Sequence, residues 1–141
     1  MLLETALMCM ATNIYHEAKH EPLVGRIAVA QVVMNRVEDK RYPNTVCEVV
    51  KQGLTYKNGK VVIGRCMFSW YCDGRSDDIN RTDPKWRDSL RVASMVITDK
   101  ITLDVTEGST HYHATYVRPA WAKTKTKIVR INKHIFYRWE K

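Results

Sequence analysis

The stretch ATNIYHEAKHEPLVG, residues 11–25, decides how the rest of the chain is interpreted. It joins one helical pattern to the next, with Pro22 at the junction. The residue before a proline is pushed out of the helical region, so we expect a first helix to end near Glu21 and a second to begin at Pro22. The stretch also contains His16-Glu17-Ala18-Lys19-His20, which satisfies the H-E-x-x-H pattern of zinc metalloproteases. It therefore bears on both the fold and the chemistry.

The first helix is predicted over residues 2–20 and carries a carboxylate on its apolar face. A 4-3-4-3 spacing links Leu3, Leu7, Met10, Ile14 and Glu17. At 100° per residue these positions fall within an arc of about 80°. A low-dielectric environment disfavours an ionised carboxylate, so the pKa of Glu17 should rise, as a general acid near neutral pH requires. A glutamate that pairs with a buried arginine or caps a loop would have the same spacing, so both roles stay open.

The second helix is predicted from Pro22 to about Val37. Its segment LVGRIAVAQVVMNRV is apolar almost all round, which is typical of a buried central helix. One face carries two amides beside small apolar residues: Val24, Ala28, Gln31 and Asn35. Two amides on one face are compatible with a polar cleft or with contacts to neighbouring backbone groups, and the sequence does not choose between them.

The middle of the chain contains shorter elements. Asn44 is the predicted N-cap of a short helix that ends at Gly53. The segment TYKNGKVVIG predicts a hairpin with Asn58-Gly59 as a type I′ turn. Residues 65–80 are loop-like and rich in aromatic residues. Asp83-Pro84 opens another helix, whose apolar face is formed by Trp86, Leu90, Ala93 and Ile97.

The C-terminal part mixes β-branched and aromatic residues with polar ones. It closes on KIVRINKHIFYRW, which predicts a small hairpin that turns at Asn132-Lys133. There is no internal repeat, low-complexity tract or linker. We therefore predict one α+β domain over residues 1–141, with a helix-rich N-terminal half and small β-hairpins.

Composition limits the class of protein. With 141 residues, 45% hydrophobic and 27% charged, the chain can bury a core and is not disordered. The net charge of +8 favours an anionic partner such as nucleic acid, a membrane surface or an acidic wall polymer. The start MLLETALMCM carries Glu4 where a signal peptide is positive, and no apolar run reaches the roughly 18 residues of a spanning helix. We expect synthesis in the cytoplasm and no transmembrane segment.

The four cysteines are compatible with either redox state. We expect Cys9, Cys47, Cys66 and Cys72 to be free buried thiols. The alternative is a Cys66–Cys72 disulfide, since these two residues bracket one loop and would pair in an oxidising compartment.

The zinc interpretation requires a third ligand and an open coordination position. Pro22 disrupts the backbone where His20 would be held, and Leu23 and Arg26 occupy the positions where the extended metzincin pattern has glycine and histidine. Glu38 is a possible third ligand at an exposed helix end, and a second donor pair is His111 and His113, alternate residues of a predicted strand. We predict no metal and no cofactor, and keep a zinc amidase or peptidase as an alternative.

The order of motifs resembles the SleB-type cell-wall hydrolases, which include spore-cortex lytic enzymes and phage lysis proteins. That family carries E-A-[RK]-x-E-P-x-x-G, N-R-V, P-N-T, an aromatic–hydroxyl loop, D-G, a Trp-containing aromatic segment and I-G-x-H-x-F-x-R. Here these motifs are EAKHEPLVG (17–25), NRV (35–37), PNT (43–45), FSW (68–70), DG (73–74), HYHATYVRPAWA (111–122) and INKHIFYR (131–138). The match covers nearly the whole chain, and HYHA and FYR look most like the phage members.

The resemblance implies a lysozyme-like domain that cuts peptidoglycan strands between N-acetylmuramic acid and N-acetylglucosamine. Carried over residue by residue, the catalytic acid is Glu17, and H-E-x-x-H is a chance pattern around it. The sequence departs from the family at Asn132, where glycine is usual, and at Trp70, Cys66 and Cys72, which are not general features.

The sequence offers one well-placed carboxylate, whereas most glycosidases need two. A lytic transglycosylase avoids this requirement because one glutamate acts as acid and then as base. We therefore predict a lytic transglycosylase, with a hydrolysing muramidase as the alternative. The predicted substrate-binding residues, each of which would also fit a structural role, are Gln31, Asn35, Phe68, Ser69, Tyr112, His113 and Trp121.

The expected partner is the glycan strand of peptidoglycan. The basic tract KTKTK (123–127), with Arg118 and Arg130, is a second candidate contact, with an anionic cell-envelope surface. No nucleic-acid-binding motif is recognisable, so we predict no nucleic-acid partner. We expect a monomer that acts on the cell wall after release from the cytoplasm.

Overall fold

The protein is described by a computed structural model that covers residues 5–140. The first helix, α1, spans Ala6–Ala18, and the Thr5 side chain accepts a hydrogen bond from the backbone N–H of Met8 at 3.1 Å. Met10 and Ile14 are fully buried as predicted, whereas Leu7 is 37% exposed. The predicted start of this helix at residues 2–4, with Leu3, lies outside the described residues.

The second helix, α2, spans Leu23–Glu38 with Pro22 as its N-cap. It is central as predicted, because its valines and alanines are buried on several sides. The backbone turns sharply between α1 and α2, since the Glu21 N–H bonds the Ala18 carbonyl at 2.9 Å. Residues 16–22 therefore form a corner at one end of the helical layer.

The short helix α3 spans Val46–Val50, and its N-cap is Thr45 instead of the predicted Asn44. The Thr45 hydroxyl accepts from the Glu48 backbone N–H at 3.2 Å, and the pattern T-x-x-E is a capping box. The predicted N-cap was wrong by one residue because both side chains are good N-caps and only Thr45 has the glutamate three residues later. The predicted end at Gly53 was also wrong, since α3 ends at Val50 and Gly53 belongs to the following strand.

The predicted hairpin is present, but its turn differs from the prediction. Strand β1, Gly53–Thr55, pairs with β2, Val61–Cys66. Tyr56 and Lys60 close a three-residue loop through a 2.8 Å backbone bond. Among the three residues of this loop, 57–59, only Gly59 has a left-handed backbone, with φ +87°, whereas a type I′ turn needs two such residues. The type I′ prediction was therefore wrong.

Helix α4 spans Pro84–Ile97, and the Asp83 side chain caps it by accepting from the Lys85 N–H at 2.9 Å. Trp86 and Ala93 are buried as predicted. The main hydrophobic core lies among α1, α2, α3 and α4. The Tyr15 hydroxyl also donates to Asp83 at 2.7 Å, which ties α1 to the start of α4.

The C-terminal part forms an antiparallel three-stranded sheet. Its strands are β3, His111–Ala114, β4, Thr126–Ile131, and β5, His134–Arg138, and β5 lies in the centre. Asn132, with φ 53°, and Lys133 form the turn between β4 and β5, as predicted. The helices and small antiparallel sheets confirm the predicted α+β class.

The register of the sheet sorts its side chains onto two faces. Tyr112 lies opposite Phe136, and His111 lies opposite Tyr137. Because side chains alternate along a strand, Tyr112 and Phe136 share one face while His111 and Tyr137 share the other. Phe136 is fully buried against Ala28 and Val32 of α2, so the Tyr112 face is the inner one.

The expectation of free thiols was wrong, because all four cysteines form disulfides. Cys9–Cys47 joins α1 to α3 with a Cα–Cα distance of 5.2 Å. Cys66–Cys72 closes the loop between β2 and the 3-10 turn Ser69–Cys72. The first pair is separated by 38 residues and depends on how α1 packs against α3, which spacing along the chain does not reveal.

Within residues 5–140, no helix combines the length and the apolar character needed to cross a bilayer.

Candidate active site

Glu17 lies in the last turn of α1, beside the corner that leads into α2. It borders a cleft of about 310 Å³. One wall of the cleft is residues 16–21, and the other is formed by Ala114, Tyr116, Lys133 and His134 from the sheet and the loop after β3. The cleft therefore lies where the helical layer meets the sheet.

The surroundings of the Glu17 carboxyl group shift its pKa in two opposite directions. Tyr112, from the inner face of β3, donates its hydroxyl hydrogen to Oε1 of Glu17. The residue borders the cleft, yet its carboxyl group is enclosed enough that burial raises its pKa, while the Tyr112 hydrogen bond and the charge of Arg36 act in the opposite direction. Glu17 therefore keeps its proton at a higher pH than an exposed glutamate would.

Arg36 places a positive charge behind this pair. It is 4% exposed, and its Nε donates to the Thr110 carbonyl at 2.7 Å, at the entrance to β3. Its guanidinium lies 5.0 Å from the ring centres of Tyr42 and Phe68. Nη1 makes no hydrogen bond within residues 5–140. The charge of Arg36 acts on Glu17 by electrostatic attraction, which favours the carboxylate and lowers its pKa.

The loop after β2 packs against α1 beside the cleft. Trp70 donates its indole N–H to Asn13 at 2.9 Å, and its ring stacks on His16 with centroids 4.5 Å apart. Ser69 is exposed at the start of this turn, whereas Phe68 is 2% exposed and packs against Arg36. Of the two, only Ser69 presents a surface to solvent; the substrate-binding roles of both stay predictions.

The two amides of α2 hold the loop before β3. Gln31 donates to the Leu103 carbonyl at 2.8 Å and accepts from the Val105 N–H at 3.0 Å. Asn35 donates to Asp104 and to the Ser109 carbonyl, each at 2.9 Å. These contacts account for both amides structurally. A role for Gln31 or Asn35 in substrate binding stays a prediction.

The structure separates the predicted aromatic residues of the site. Tyr112 meets Glu17 on the inner face of the sheet, whereas His113 lies on the outer face and bonds the Tyr137 hydroxyl through Nε2 at 2.8 Å. Trp121 packs against Tyr137 on that outer face, with centroids 5.3 Å apart. The structure thus brings Tyr112, and neither His113 nor Trp121, to Glu17.

The H-E-x-x-H residues do not converge on a metal position. His16 stacks on Trp70 and directs Nε2 toward the Asp77 carbonyl at 3.3 Å, while His20 is exposed. Glu38 is exposed at the end of α2. Among residues 5–140, no three His, Cys, Asp or Glu side chains gather as a metal ion requires. The side chains therefore do not fit the zinc arrangement.

Sequence reasoning missed a second ionisable pair in the cleft. Oε1 of Glu21 lies 3.0 Å from Nδ1 of His134, and these side chains are 10% and 13% exposed. Glu21 lies at the break between the two predicted helices, and that position gives no sign of a partner 113 residues further along the chain. The signal was present in two family motifs at opposite ends of the chain, EAKHEP and INKHIF, which the fold brings together.

A family model described as Cell Wall Hydrolase matches residues 20–137. The chain belongs to this family. The matched range begins just after Glu17 and includes Tyr112, Glu21 and His134. The predicted resemblance to SleB-type cell-wall hydrolases is confirmed.

This cell wall hydrolase is 29% identical over 132 residues to a spore cortex-lytic enzyme of Halalkalibacterium halodurans. The alignment covers 92% of the chain and 34% of the relative. The cell wall hydrolase thus spans about a third of the length of that curated relative.

Two solved structures share the fold of this cell wall hydrolase. The catalytic domain of the germination-specific lytic transglycosylase SleB from Bacillus anthracis matches with a TM-score of 0.66 and 25% identity, over 97% of each chain. The catalytic domain of Bacillus cereus SleB matches with a TM-score of 0.63 and 25% identity, over 94% of this chain and 89% of that one. These matches confirm the predicted lysozyme-like fold.

Proposed function

We propose that the chain cleaves the glycan strands of peptidoglycan as a lytic transglycosylase, at the bond between N-acetylmuramic acid and N-acetylglucosamine. The observation that carries the proposal is the Glu17 carboxyl group, which borders an open cleft, has a raised pKa and accepts a hydrogen bond from Tyr112. Two relatives, a spore cortex-lytic enzyme and a lytic transglycosylase, support the same activity.

In the first step, protonated Glu17 gives its proton to the oxygen that bridges the two sugars, and the bond from C1 of the muramic acid to that oxygen breaks. Positive charge develops at C1, where the substrate's own groups stabilise it. The departing sugar leaves with the donated proton, and Glu17 becomes a carboxylate.

In the second step, the Glu17 carboxylate takes the proton from the 6-hydroxyl of the same muramic acid. O6 then bonds to C1 and closes a 1,6-anhydro ring. The Tyr112 hydrogen bond and the Arg36 charge both favour the carboxylate and so stabilise it between the steps. Glu17 ends with its proton restored, and no water is consumed.

Muropeptide analysis tests the proposal directly. The purified wild-type chain should release fragments with anhydro-muramic ends from peptidoglycan, and a metal chelator should not change this release. Glu17→Gln should abolish release while the fold survives. Glu38→Gln, at an exposed carboxylate on α2, is the matched control and should leave release unchanged. Free stem peptides with intact glycan, or activity that is lost with EDTA, would contradict the proposal and favour the amidase alternative.

A hydrolysing muramidase is the second candidate, and Glu21 is the observation that favours it. A second carboxylate in the cleft is what a hydrolytic glycosidase needs to activate water or to form a covalent intermediate. Digestion in ¹⁸O-labelled water separates the two candidates. Hydrolysis would place the label on new reducing ends, whereas the transglycosylase reaction leaves the fragments unlabelled.

We also propose that the basic tract holds the enzyme near an anionic cell envelope. Lys123 and Lys127 are exposed, and Lys125 lies 5.0 Å from the centre of the Trp139 ring. Binding of Glu17→Gln to isolated wall sacculi should weaken as salt rises, because exposed charges are screened. Binding that salt does not change would contradict this. A monomeric state without a nucleic-acid partner, and phage-type release from the cytoplasm to the wall, stay predictions.

A further inference from the structure

The Glu21–His134 pair lies in the same cleft as Glu17, and the mechanism above does not use it. Both residues line the cleft, and both side chains are nearly nine-tenths buried. A carboxylate and an imidazole at 3.0 Å, beside a catalytic acid, form a cluster of titratable groups at a site. The pair therefore requires an explanation beyond packing.

The fold brings the two residues together through a close backbone approach. A Cβ at position 25 would lie 3.0 Å from the Cβ of Glu21 and 3.1 Å from Nδ2 of Asn132. Gly25 therefore lets the turn between β4 and β5 approach the corner between α1 and α2. This approach places His134, two residues after Asn132, beside Glu21.

His134 lies on the same face of the sheet as the residue that holds Glu17. It pairs with Ala114 in β3, two positions after Tyr112. The rings of His134 and Tyr112 meet edge to face, with centroids 5.1 Å apart. Tyr112 thus has Glu17 at its hydroxyl and His134 at its ring.

The protonation state leaves one nitrogen of His134 as an acceptor. Burial lowers the pKa of His134, with Glu21 acting against and His113 acting with that shift, so the ring is neutral at neutral pH. The Glu21 carboxylate favours the tautomer with the proton on Nδ1, although that N–H is not aligned for a hydrogen bond. Nε2 then carries the lone pair, and it makes no hydrogen bond within residues 5–140.

We propose that His134, held by Glu21, contacts the substrate by accepting a hydrogen bond from the acetamido N–H of the N-acetylmuramic acid whose glycosidic bond Glu17 protonates. This inference rests on the proposed function and deepens it. The acetamido N–H of this sugar is a donor from which a neutral imidazole nitrogen can accept a hydrogen bond. Its O3 and O4 carry the lactyl ether and the neighbouring sugar, and its 6-hydroxyl is the group that Glu17 deprotonates. The contact would fix the rotation of the sugar ring and so favour attack by its 6-hydroxyl over attack by water.

The test compares His134→Leu, His134→Gln and Glu21→Gln. His134→Leu should lower kcat/KM on peptidoglycan by roughly 10- to 100-fold, as expected for one lost hydrogen bond in a site. It should also raise the share of reducing ends over anhydro ends. His134→Gln, which keeps an acceptor, should restore part of both. Glu21→Gln, a change at the positioning residue, should move the product ratio in the same direction by a smaller amount.

A second measurement does not depend on turnover. In a Glu17→Gln background, adding His134→Leu should weaken the binding of a muramyl tetrasaccharide by about tenfold, measured by calorimetry. His111→Gln, on the outer face of the sheet, is the matched histidine control and should change neither the binding nor the product ratio. If His134→Leu fails to fold, His134→Gln and Glu21→Gln carry the test.

The outcomes separate this inference from the proposed function. An unchanged product ratio and unchanged affinity, in a chain that does cut glycan, would overturn the role of His134 alone. If the wild-type chain cuts stem peptides and leaves the glycan intact, the proposed function fails and the inference fails with it.

Discussion

At the scale of single residues, Glu17 is under two opposing influences. Burial favours its protonated form, and the Tyr112 hydroxyl and the Arg36 charge favour its carboxylate. In the proposed mechanism Glu17 first gives a proton and then takes one back, so it needs both its protonated and its ionised form within reach. The structure supplies this balance with one hydrogen bond and one buried cation.

Replacing Tyr112 with phenylalanine should shift the pH dependence of the enzyme. The hydrogen bond lowers the pKa of Glu17, so its loss raises that pKa, and the alkaline limb of kcat/KM should move to higher pH. The rate should also fall roughly tenfold or more, because a hydrogen bond to a charged group contributes about 1.5–3 kcal/mol. The measurement is a pH profile of muropeptide release.

The control for Tyr112→Phe is Tyr137→Phe, which removes a hydroxyl from the outer face of the same sheet. It should leave the alkaline limb in place. A Tyr112→Phe profile that stays fixed or moves to lower pH would show that the hydrogen bond does not set the pKa of Glu17.

Replacing Glu17 with glutamine should stabilise the fold in a pH-dependent way. A carboxyl whose folded-state pKa is raised contributes stability below its unfolded pKa and loses it as pH rises through the folded value. Glutamine does not ionise, so the melting temperature of Glu17→Gln should exceed that of the wild type at pH 8 and match it more closely near pH 3.5.

Thermal unfolding followed by circular dichroism at the two pH values measures this difference. Glu38→Gln should show no such pH dependence, since that side chain is exposed. Equal melting temperatures of Glu17→Gln and wild type at pH 8 would mean that the ionised Glu17 carries no penalty.

The sequence predicted that Glu17 lies on the apolar face of α1, but it did not predict which side chains surround it. The reason is that the helical spacing is local, whereas the surrounding side chains come from distant parts of the chain. The spacing that places Glu17 on the apolar face of α1 is local, so it is visible in the sequence. The contact with Tyr112 joins residues 95 positions apart and depends on the register of β3 against β5. The separation of Tyr112 from His113 follows from the alternation of a strand, once its inner face is known.

At the scale of secondary-structure elements, the site depends on how closely the turn between β4 and β5 approaches the corner between α1 and α2. Gly25 is the residue that permits this approach, because any side chain there would meet both Glu21 and Asn132. The motif E-P-x-x-G thus combines a carboxylate, a helix start and a position without a Cβ. Together they allow the turn between β4 and β5 to lie against the corner between α1 and α2.

Gly25→Ala should therefore destabilise the fold and widen the cleft. Overpacking a tight contact costs about 1–3 kcal/mol, in spite of the better helix propensity of alanine. Denaturant unfolding measures the loss, and the same variant should lose activity because Glu21 and His134 move apart. Val24→Ala, at a 42% exposed neighbour, should change the stability by less than about 0.5 kcal/mol. A Gly25→Ala chain as stable as the wild type would show that the corner yields freely.

The helices were predicted well and the sheet only in part. Pro22 and Asp83-Pro84 mark the helix starts chemically, so α2 and α4 begin where the sequence indicated. The hairpin that turns at Asn132 was also predicted, because its strand and turn residues are neighbours in the sequence. The central place of β5 was not visible, since the pairing of β3 with β5 crosses the intervening segment and leaves no local signal.

At the scale of the whole molecule, the two disulfides constrain different distances. Cys9–Cys47 joins residues 38 apart, and Cys66–Cys72 joins residues 6 apart. A crosslink restricts the unfolded chain more when the loop it closes is longer. The prediction of free thiols treated the four cysteines as buried core residues, and the sequence alone does not show which cysteines the fold brings together.

The double variant Cys9→Ser/Cys47→Ser should lose more stability than Cys66→Ser/Cys72→Ser. Loop-closure entropy gives about 4 kcal/mol for the long loop and about 2 kcal/mol for the short one. Denaturant unfolding of both double variants, beside the wild type under reducing and oxidising conditions, measures the difference. A larger loss for the short loop would contradict the ranking.

Because the two faces of the sheet carry different side chains, a shift of one residue in the pairing of β3 with β5 would disable the enzyme without any change of sequence. If β3 slipped by a single position against β5, every side chain of the strand would change sides, and a histidine would replace Tyr112 at Glu17. Bringing the Tyr112 hydroxyl to Glu17 therefore requires that β3 pair in frame with β5, a strand that begins more than one hundred residues downstream of Glu17.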